Sequence, residues 1–466
     1  MKATKAILAL FGVSLLALGA YASPTVSIVD VRQRYPWNNT VDIVYRVTGY
    51  DSATDVDKYF VTFDATIPGI ADPIECTAGQ MVSANGDFTV NWDCSLDSVV
   101  YTDSAKLTLS VYNLEGQLAV ADLASADYEI WDLTDLSAAP VYEKVPEING
   151  TPMQRLSNAR YNADEYKTTK LVLRKVPASA TTYPLFTTGN VTRTVDETYL
   201  IGIYELTEGQ YGYILQSADP SGATGLSQVG SARTLTSTKA LASISQSAIY
   251  GGDKGTSNTA TASKDTAWTD NNSRTGTTPL LKLMNDTAAS ANSMVFDLPT
   301  DQQWEIAARG GVTADTYWWW RDGSEGNPVC KVTTTYTTKE LADAATPAGM
   351  SNEELRLYAV TKLASGSNGA RSNVASAPTA FNPWGLADMY GNVWEWVRNR
   401  AGDTAYNTAT VTSTFNGSAT GSAVRRGGAY SNGADRCSSV GRDTGGAPGS
   451  VHDSIGVRLA RVLSTP

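Results

Sequence analysis

The chain has 466 residues, with 47 acidic and 36 basic side chains, one histidine and four cysteines. Its length predicts two or three domains. The net charge of −11 and the lack of a cluster of Lys and Arg argue against nucleic acid as a partner, because phosphate binding needs such clusters. The single histidine, His452, lies in a polar segment, which argues against a Ser-His-Asp triad and against a histidine-rich metal site.

Residues 1–22 have the pattern of a cleavable export signal. Lys2 and Lys5 precede an apolar run, and a small-residue motif ends at Ala22. No later segment reaches the roughly 18 apolar residues that a membrane-spanning helix needs. The sequence therefore predicts a secreted, periplasmic or cell-surface protein that has no membrane span after signal cleavage, in a compartment where disulfides persist.

Residues 23–135 alternate apolar and polar side chains in six or seven short segments separated by turn residues. Together with a central Trp92, this pattern predicts an immunoglobulin-like β-sandwich. Cys76 and Cys94 lie on neighbouring segments, where a disulfide between them could form and contribute about 3 kcal/mol in the chain-entropy model.

Residues 136–165 contain three prolines and little periodicity, so we interpret them as a linker to a second domain at 166–466. Two helix starts are predicted in that domain. Each is a threonine with a glutamine three residues later, which is the spacing of a capping box: Thr207 with Gln210, and Thr300 with Gln303.

Four aromatic residues in succession occupy positions 317–320. A strand would point alternate rings to opposite faces, so part of this run is expected to line a surface. Exposed rings can stack on carbohydrate or peptide ligands, whereas buried rings fill a core. Trp318 and Trp320 are therefore candidate ligand contacts, with core packing as the alternative.

The segment FNPWGLADMYGNVWEW, residues 381–396, holds two carboxylates seven positions apart. Asp388 and Glu395 can face a common point only if the backbone bends, and Gly391 permits such a bend. Calcium prefers carboxylate and carbonyl oxygens, so these two side chains and the carbonyls of Gly391 and Val393 form one possible ligand set. The alternative is a tight turn whose acids cap backbone amides while tryptophans fill a core.

Five blocks occur in the order and rough spacing of one known family: YELTEGQY, LPTDQQWEIAARGG, NPWGLADMYGNVWEW, RRGGAYSN and IGVRLAR. Over about residues 166–462 the chain resembles the formylglycine-generating enzymes, also called sulfatase-modifying factors. The resemblance implies an α+β domain with a C-type-lectin-like fold. It also implies a structural calcium ion with Asp388, Gly391, Val393 and Glu395 at the matching ligand positions.

Active members of this family oxidise a cysteine of a client sulfatase to formylglycine, using O₂ and a copper(I) ion held by two cysteine thiolates. Cys437 matches one thiolate, but the other position is Asn432, and Ala429 stands where the family has serine. Because an amide cannot replace a soft thiolate, the resemblance implies the fold without the oxidase activity. The alternative is an active copper oxidase in which Cys437 is catalytic.

An exported domain of this kind resembles a binding or structural module. Its partner would be an extracellular glycan, peptide or protein, contacted near Tyr430 and Asn432. Four cysteines allow three pairings, and the separation of the domains favours Cys76 with Cys94 and Cys330 with Cys437. The second pair would remove the thiol that oxidation requires.

Overall fold

The computed structural model describes residues 24–34, 40–55, 58–71, 73–94, 105–148, 151–185, 191–223, 226, 234–250, 279–289, 294–313, 356, 358–362, 369–377, 380–400, 410–411, 422–433 and 436–463. The chain divides into two compact units, Met1–Asn113 and Leu114–Pro466. The predicted export signal, Trp318, Trp320 and Cys330 lie outside the described residues. Within those residues, no helix combines the length and apolar character that crossing a membrane requires.

The first unit contains two three-stranded antiparallel sheets with strand orders β1-β2-β5 and β4-β3-β6. The strands are β1 (Thr25–Gln33), β2 (Thr40–Thr48), β3 (Tyr59–Thr66), β4 (Ile74–Met81), β5 (Gly86–Asp93) and β6 (Lys106–Asn113).

One hydrophobic core receives side chains from both sheets of this unit. Strand β2 shows why the sequence forms it: its buried residues alternate with more exposed ones, and they are Val41, Ile43, Tyr45 and Val47. Trp92 on β5 is fully buried in the same core. Two sheets around one core agree with the predicted layering, while the immunoglobulin-like type stays a prediction.

Cys76 and Cys94 are both buried in this core, the first on β4 and the second just after β5. The predicted disulfide between them is not present in the part of the chain that the structure describes. The Cys76 sulfur lies 3.9 Å from the Ile74 carbonyl oxygen. Each side chain packs in the core as a small apolar group, a common role for a buried cysteine, and the spacing alone could not distinguish that role from a bond.

The second unit is rich in strands, with few helices. Its strands are β7 (Ala119–Val120), β8 (Tyr128–Asp132), β9 (Val141–Glu143), β10 (Glu147–Ile148), β11 (Thr151–Pro152), β12 (Lys170–Val176), β13 (Ser179–Leu185), β14 (Val191–Val195), β15 (Tyr199–Gly202), β16 (Met294–Asp297), β17 (Trp394–Arg400), β18 (Thr410–Val411), β19 (Ala423–Arg426), β20 (Arg442–Gly446), β21 (Ile455–Val457) and β22 (Ala460–Leu463). The α-helices among the described residues are α1 (Gln154–Tyr161), α2 (Glu208–Ala218), α3 (Gln246–Tyr250), α4 (Leu280–Thr287) and α5 (Asp301–Arg309), and a 3-10 helix spans Asp164–Lys167.

A seven-stranded antiparallel sheet, with order β16-β22-β15-β12-β8-β9-β7, joins the two ends of this unit. A four-stranded sheet, with order β20-β19-β17-β21, carries the segments that the sequence identified near the C-terminus. In that sheet β17 pairs in parallel with β21 and antiparallel with β19. The C-terminal motif blocks are therefore held side by side.

The boundary between the units differs from the sequence interpretation. The division falls after Asn113, not at residue 135, because β8 pairs with β12 of the second unit. The alternation in the sequence identified β8 as a strand but could not identify the sheet that it joins.

Residues 136–165 are not the predicted linker. They contain β9 and α1, and Glu143 on β9 accepts hydrogen bonds from Arg160 and Tyr161 on α1. The prolines lie outside the regular part of α1, where they do not interrupt it, so proline content gave no measure of how well this segment packs.

Both predicted helix starts are confirmed. Thr207 begins α2 and Thr300 begins α5, and each forms a complete capping box with the glutamine three residues later. Helix α5 ends at Gly310, whose φ of 58° lies in the left-handed region that favours glycine.

Candidate functional site

The segment that precedes β17 makes the bend that its spacing predicted. Four of its residues have left-handed backbone angles: Gly385 at φ 76°, Asp388 at 55°, Gly391 at 88° and Asn392 at 52°. A Cβ atom at position 391 would lie 2.2 Å from the carbonyl oxygen of Val360. Only glycine fits there, because both the backbone angle and the close approach exclude a side chain.

A buried carboxylate from another motif block fixes this bend. Glu205 Oε1 accepts the backbone N–H of Val393 at 2.9 Å, and its Oε2 accepts the side-chain N–H of Asn392 at 2.6 Å. Glu205 is fully buried, and this burial raises its pKa well above the usual value, with further increases from Asp388 and Glu395. The YELTEGQY block therefore supports the GNVWEW block directly.

Glu395 is the partner of a fully buried arginine. Arg458 donates from Nε to both carboxylate oxygens at 3.0 Å and from Nη2 to Oε1 at 2.7 Å. The indole Nε1 of Trp304 donates to Oε2 at 2.5 Å. Three N–H groups therefore bind a carboxylate that has about four lone-pair positions, so Glu395 is largely occupied as the counter-ion of Arg458.

Asp388 has an open acceptor. Its Oδ2 accepts the backbone N–H of Ala375, whereas Oδ1 is buried and has no hydrogen-bond partner among the described residues. Burial raises the pKa of Asp388 to about 6, although the Ala375 hydrogen bond and the charges of Arg458 and Lys167 lower it. An unsatisfied buried carboxylate oxygen fits a cation.

The predicted calcium ligands are thus unequal. Asp388 offers an open oxygen, and Glu395 serves first as the counter-ion of Arg458. Among the described residues, no group of three or more Asp, Glu, His or Cys side chains could hold a metal, so any ion here would depend on backbone carbonyls such as those of Gly391 and Val393. The four-residue ligand set stays a prediction.

The corner that follows β19, made of residues 427–433 and 436–437, brings Asn432 and Cys437 together. The side-chain oxygen of Asn432 accepts the backbone N–H of Ala429 at 3.0 Å. The Cys437 sulfur is buried and lies 3.6 Å from the Asn432 carbonyl and 3.7 Å from the Ala429 carbonyl. A Cβ atom on Gly428 would lie 2.7 Å from that sulfur, so glycine is required to cover it.

This corner does not fit the copper site that the resemblance implies. Copper(I) prefers soft thiolate or thioether donors, and the corner supplies the sulfur of Cys437 and the amide of Asn432. The Asn432 oxygen already accepts a backbone N–H, so it is used to close the turn. No chemistry through copper follows from these residues. The predicted partner of Cys437, Cys330, lies outside the described residues.

Tyr430 connects this corner to the bend before β17. Its backbone N–H donates to the carbonyl of Asn392 at 2.9 Å. Burial raises the pKa of the Tyr430 phenol, and the hydrogen bond to Asp453 raises it further. Asp453 is well exposed, so the Tyr430 hydroxyl lies close to the surface. The next residues, Ser431 and Asn432, are half-buried.

The fold and this site define a mixed, strand-rich domain in which five separated motif blocks meet. The chain belongs to the family described as the sulfatase-modifying factor enzyme 1-like domain, whose model matches residues 179–463. A 105-residue segment is 35% identical to the formylglycine-generating enzyme of Mycobacterium tuberculosis, covering 21% of this chain and 25% of that enzyme.

Two solved structures are also similar. Treponema denticola variable protein 1 has 22% identity and a TM-score of 0.37, over 63% of this chain and 95% of that one. PvdO from Pseudomonas aeruginosa has 19% identity and a TM-score of 0.39, over 63% of this chain and 94% of that one.

Proposed function

We propose that this protein is a binding or structural module that keeps the family domain without its oxidase activity. The observation that carries the proposal is Asn432. It occupies the position of a copper-binding cysteine, and its side chain holds the turn at Ala429. The family's copper(I) site needs two thiolate ligands, whereas this turn supplies one sulfur, that of Cys437, and the neutral amide of Asn432.

The burial of Cys437 supports the same conclusion. Its sulfur is covered by Gly428 and directed at two backbone carbonyls. A buried sulfur in such surroundings packs as a small, weakly polar group, which is a common role for a buried cysteine. We therefore interpret the corner as a packed structural turn that supports the neighbouring part of the loop, and not as a metal site.

The proposed ligand contact is the half-buried part of this turn, Ser431 and Asn432, together with the edge of Tyr430, which is 9% exposed. Trp318 and Trp320 are further proposed contacts. Tyr430 is well suited to such a contact, since a phenol combines an apolar ring with a polar tip and loses little conformational entropy on binding. The proposed partner is an extracellular glycan, peptide or protein.

We also propose that the first unit is immunoglobulin-like, that the second unit is C-type-lectin-like, and that the protein is exported after cleavage of residues 1–22.

A direct test is oxidation of a cysteine-containing sulfatase peptide. The reduced protein is incubated with copper, O₂ and the peptide, and the peptide is analysed by mass spectrometry. We expect no aldehyde product. A two-cysteine formylglycine-generating enzyme in a parallel reaction controls for the peptide and the copper. Aldehyde formed by this protein above the protein-free background would contradict the proposal.

We also propose that a calcium ion stabilises the bend before β17, held by Asp388 Oδ1 and the carbonyls of Gly391 and Val393. The support is the buried, unsatisfied oxygen of Asp388 and the excess of buried carboxylates there, with Glu205, Asp388 and Glu395 near one fully buried guanidinium. The ion would supply positive charge and order the loop.

Chelation tests the calcium proposal. A ligand that binds only the folded state stabilises it by mass action, so removal of calcium should lower the melting temperature, by roughly 2–4 °C for each kcal/mol lost. The measurement compares thermal unfolding in a chelator with unfolding in excess calcium. The control is Asp388→Asn, which is expected to lose most of the difference. Identical curves for the wild type in both buffers would count against the ion.

A further inference from the structure

Arg193 is a buried arginine in the middle of β14. Only 7% of the residue is exposed, and it lies directly opposite Tyr183 on β13. Both residues are on the buried face of this pair of strands, and helix α5 packs against β13. A guanidinium stays charged in proteins, so Arg193 carries its charge into this buried face.

The ion pairs of the other buried arginines show that Arg193 is an exception. Every other arginine buried among the described residues has a carboxylate partner: Arg160 with Glu143, Arg309 with Glu305, Arg398 with Asp297, Arg426 with Asp301, Arg458 with Glu395 and Arg461 with Glu129. Arg193 forms no ion pair within the same part of the chain.

Its hydrogen bonds leave one edge of the guanidinium open. Nη1 donates to the carbonyl of Thr192 at 2.8 Å, while Nε is buried and has no partner. Nη2 forms no hydrogen bond with the described residues, and it is not among the buried side-chain atoms that lack a partner, so it keeps some access to solvent. Nε and Nη2 form the side of the guanidinium that matches two oxygens of a carboxylate.

We propose that Arg193 binds the carboxylate group of an external ligand through its Nε and Nη2 atoms. A buried, unpaired charge is costly, and a bound carboxylate removes that cost by forming two charge-assisted hydrogen bonds. Tyr183 is buried beside Arg193, and its ring packs edge-on against the ring of Trp384 at 6.2 Å. Trp384 is half-buried, so it is the member of this aromatic pair that reaches the surface. An acidic sugar, which has a carboxylate on an apolar ring face, matches this combination.

This site is separate from the corner at Asn432, and its test does not depend on oxidase activity or calcium. Thermal unfolding of the full chain is measured in acetate or glucuronate and in chloride at the same ionic strength. For the wild type we expect a saturable rise in melting temperature of roughly 2–4 °C with either carboxylate.

Arg193→Met should show no rise, and in chloride it should melt no lower than the wild type, because methionine removes the unpaired charge and keeps an apolar chain of similar length. Arg193→Lys should bind more weakly than the wild type, since an ammonium group lacks the two-donor edge. Arg32→Met, which removes an exposed arginine of the first unit, should respond like the wild type.

Three results would contradict the proposal that Arg193 binds a carboxylate. One is a wild type without a saturable rise. Another is an equal rise in the wild type and Arg193→Met, which would show that the carboxylates act elsewhere. The last is an Arg193→Met protein that melts well below the wild type in chloride, because Arg193 would then have a structural partner in the folded chain.

Discussion

Replacement of Arg458 by methionine is expected to lower the free energy of unfolding by about 3–5 kcal/mol, because it leaves the carboxylate of Glu395 buried without its cation. Arg458 and Glu395 are both almost completely inaccessible to solvent. The guanidinium also donates to the carbonyls of Gly202 and Ala387. The substitution therefore removes a counter-ion and leaves several acceptors unsatisfied at once.

Urea unfolding measures this effect, and a double-mutant cycle isolates its source. The double variant Arg458→Met with Glu395→Leu should lose less stability than the sum of the two single variants, since neither charge is then left alone. Lys282→Met is the matched control. Its ion pair with Asp286 is on the surface of α4, and its loss should cost under about 1 kcal/mol. A loss of under 1 kcal/mol for Arg458→Met would show that the pair does not hold the C-terminal blocks together.

Replacement of Asn432 by cysteine is expected to create a site for copper(I). The new thiol would stand beside Cys437 in a corner whose backbone already brings positions 432 and 437 together. Two soft thiolates suit the cuprous ion. Loss of even an outer partner changes metal affinity by 10–100-fold, so gain of a direct ligand should raise copper(I) affinity by more than roughly 100-fold.

Competition with a chromogenic copper(I) chelator measures this gain on the reduced protein. Asn432→Ser is the matched control, because it also removes the side-chain amide that accepts the hydrogen bond from the Ala429 backbone N–H, but it adds no sulfur. Equal copper affinity in the wild type, Asn432→Ser and Asn432→Cys would mean that position 432 does not limit metal binding.

The sequence predicted local features of the fold better than long-range ones. A capping box depends on residues three positions apart, so Thr207 and Thr300 were identified correctly. The sheet that a strand joins depends on distant pairing. For this reason β8 was assigned to the wrong unit, although its alternation was clear.

The same limit applies to the site. The bend at Asp388 and Gly391 followed from a glycine between two acids. Glu205 and Arg458 were missed as site residues because their partners are 187 and 63 residues away in the chain. A signal was present in both cases, since each charged residue lies between two apolar neighbours, and a charged residue that is buried with them needs a partner of opposite charge or complementary hydrogen bonding.

The copper content of the wild-type protein most directly tests whether Asn432 removes the copper site. The protein is reduced, loaded with copper(I), passed through a desalting column and analysed for metal, and a sample is assayed for peptide oxidation. With Asn432 in place of a thiolate, we expect far less than one copper ion per chain and no aldehyde. One tightly held copper ion per chain, together with aldehyde formation, would contradict the account.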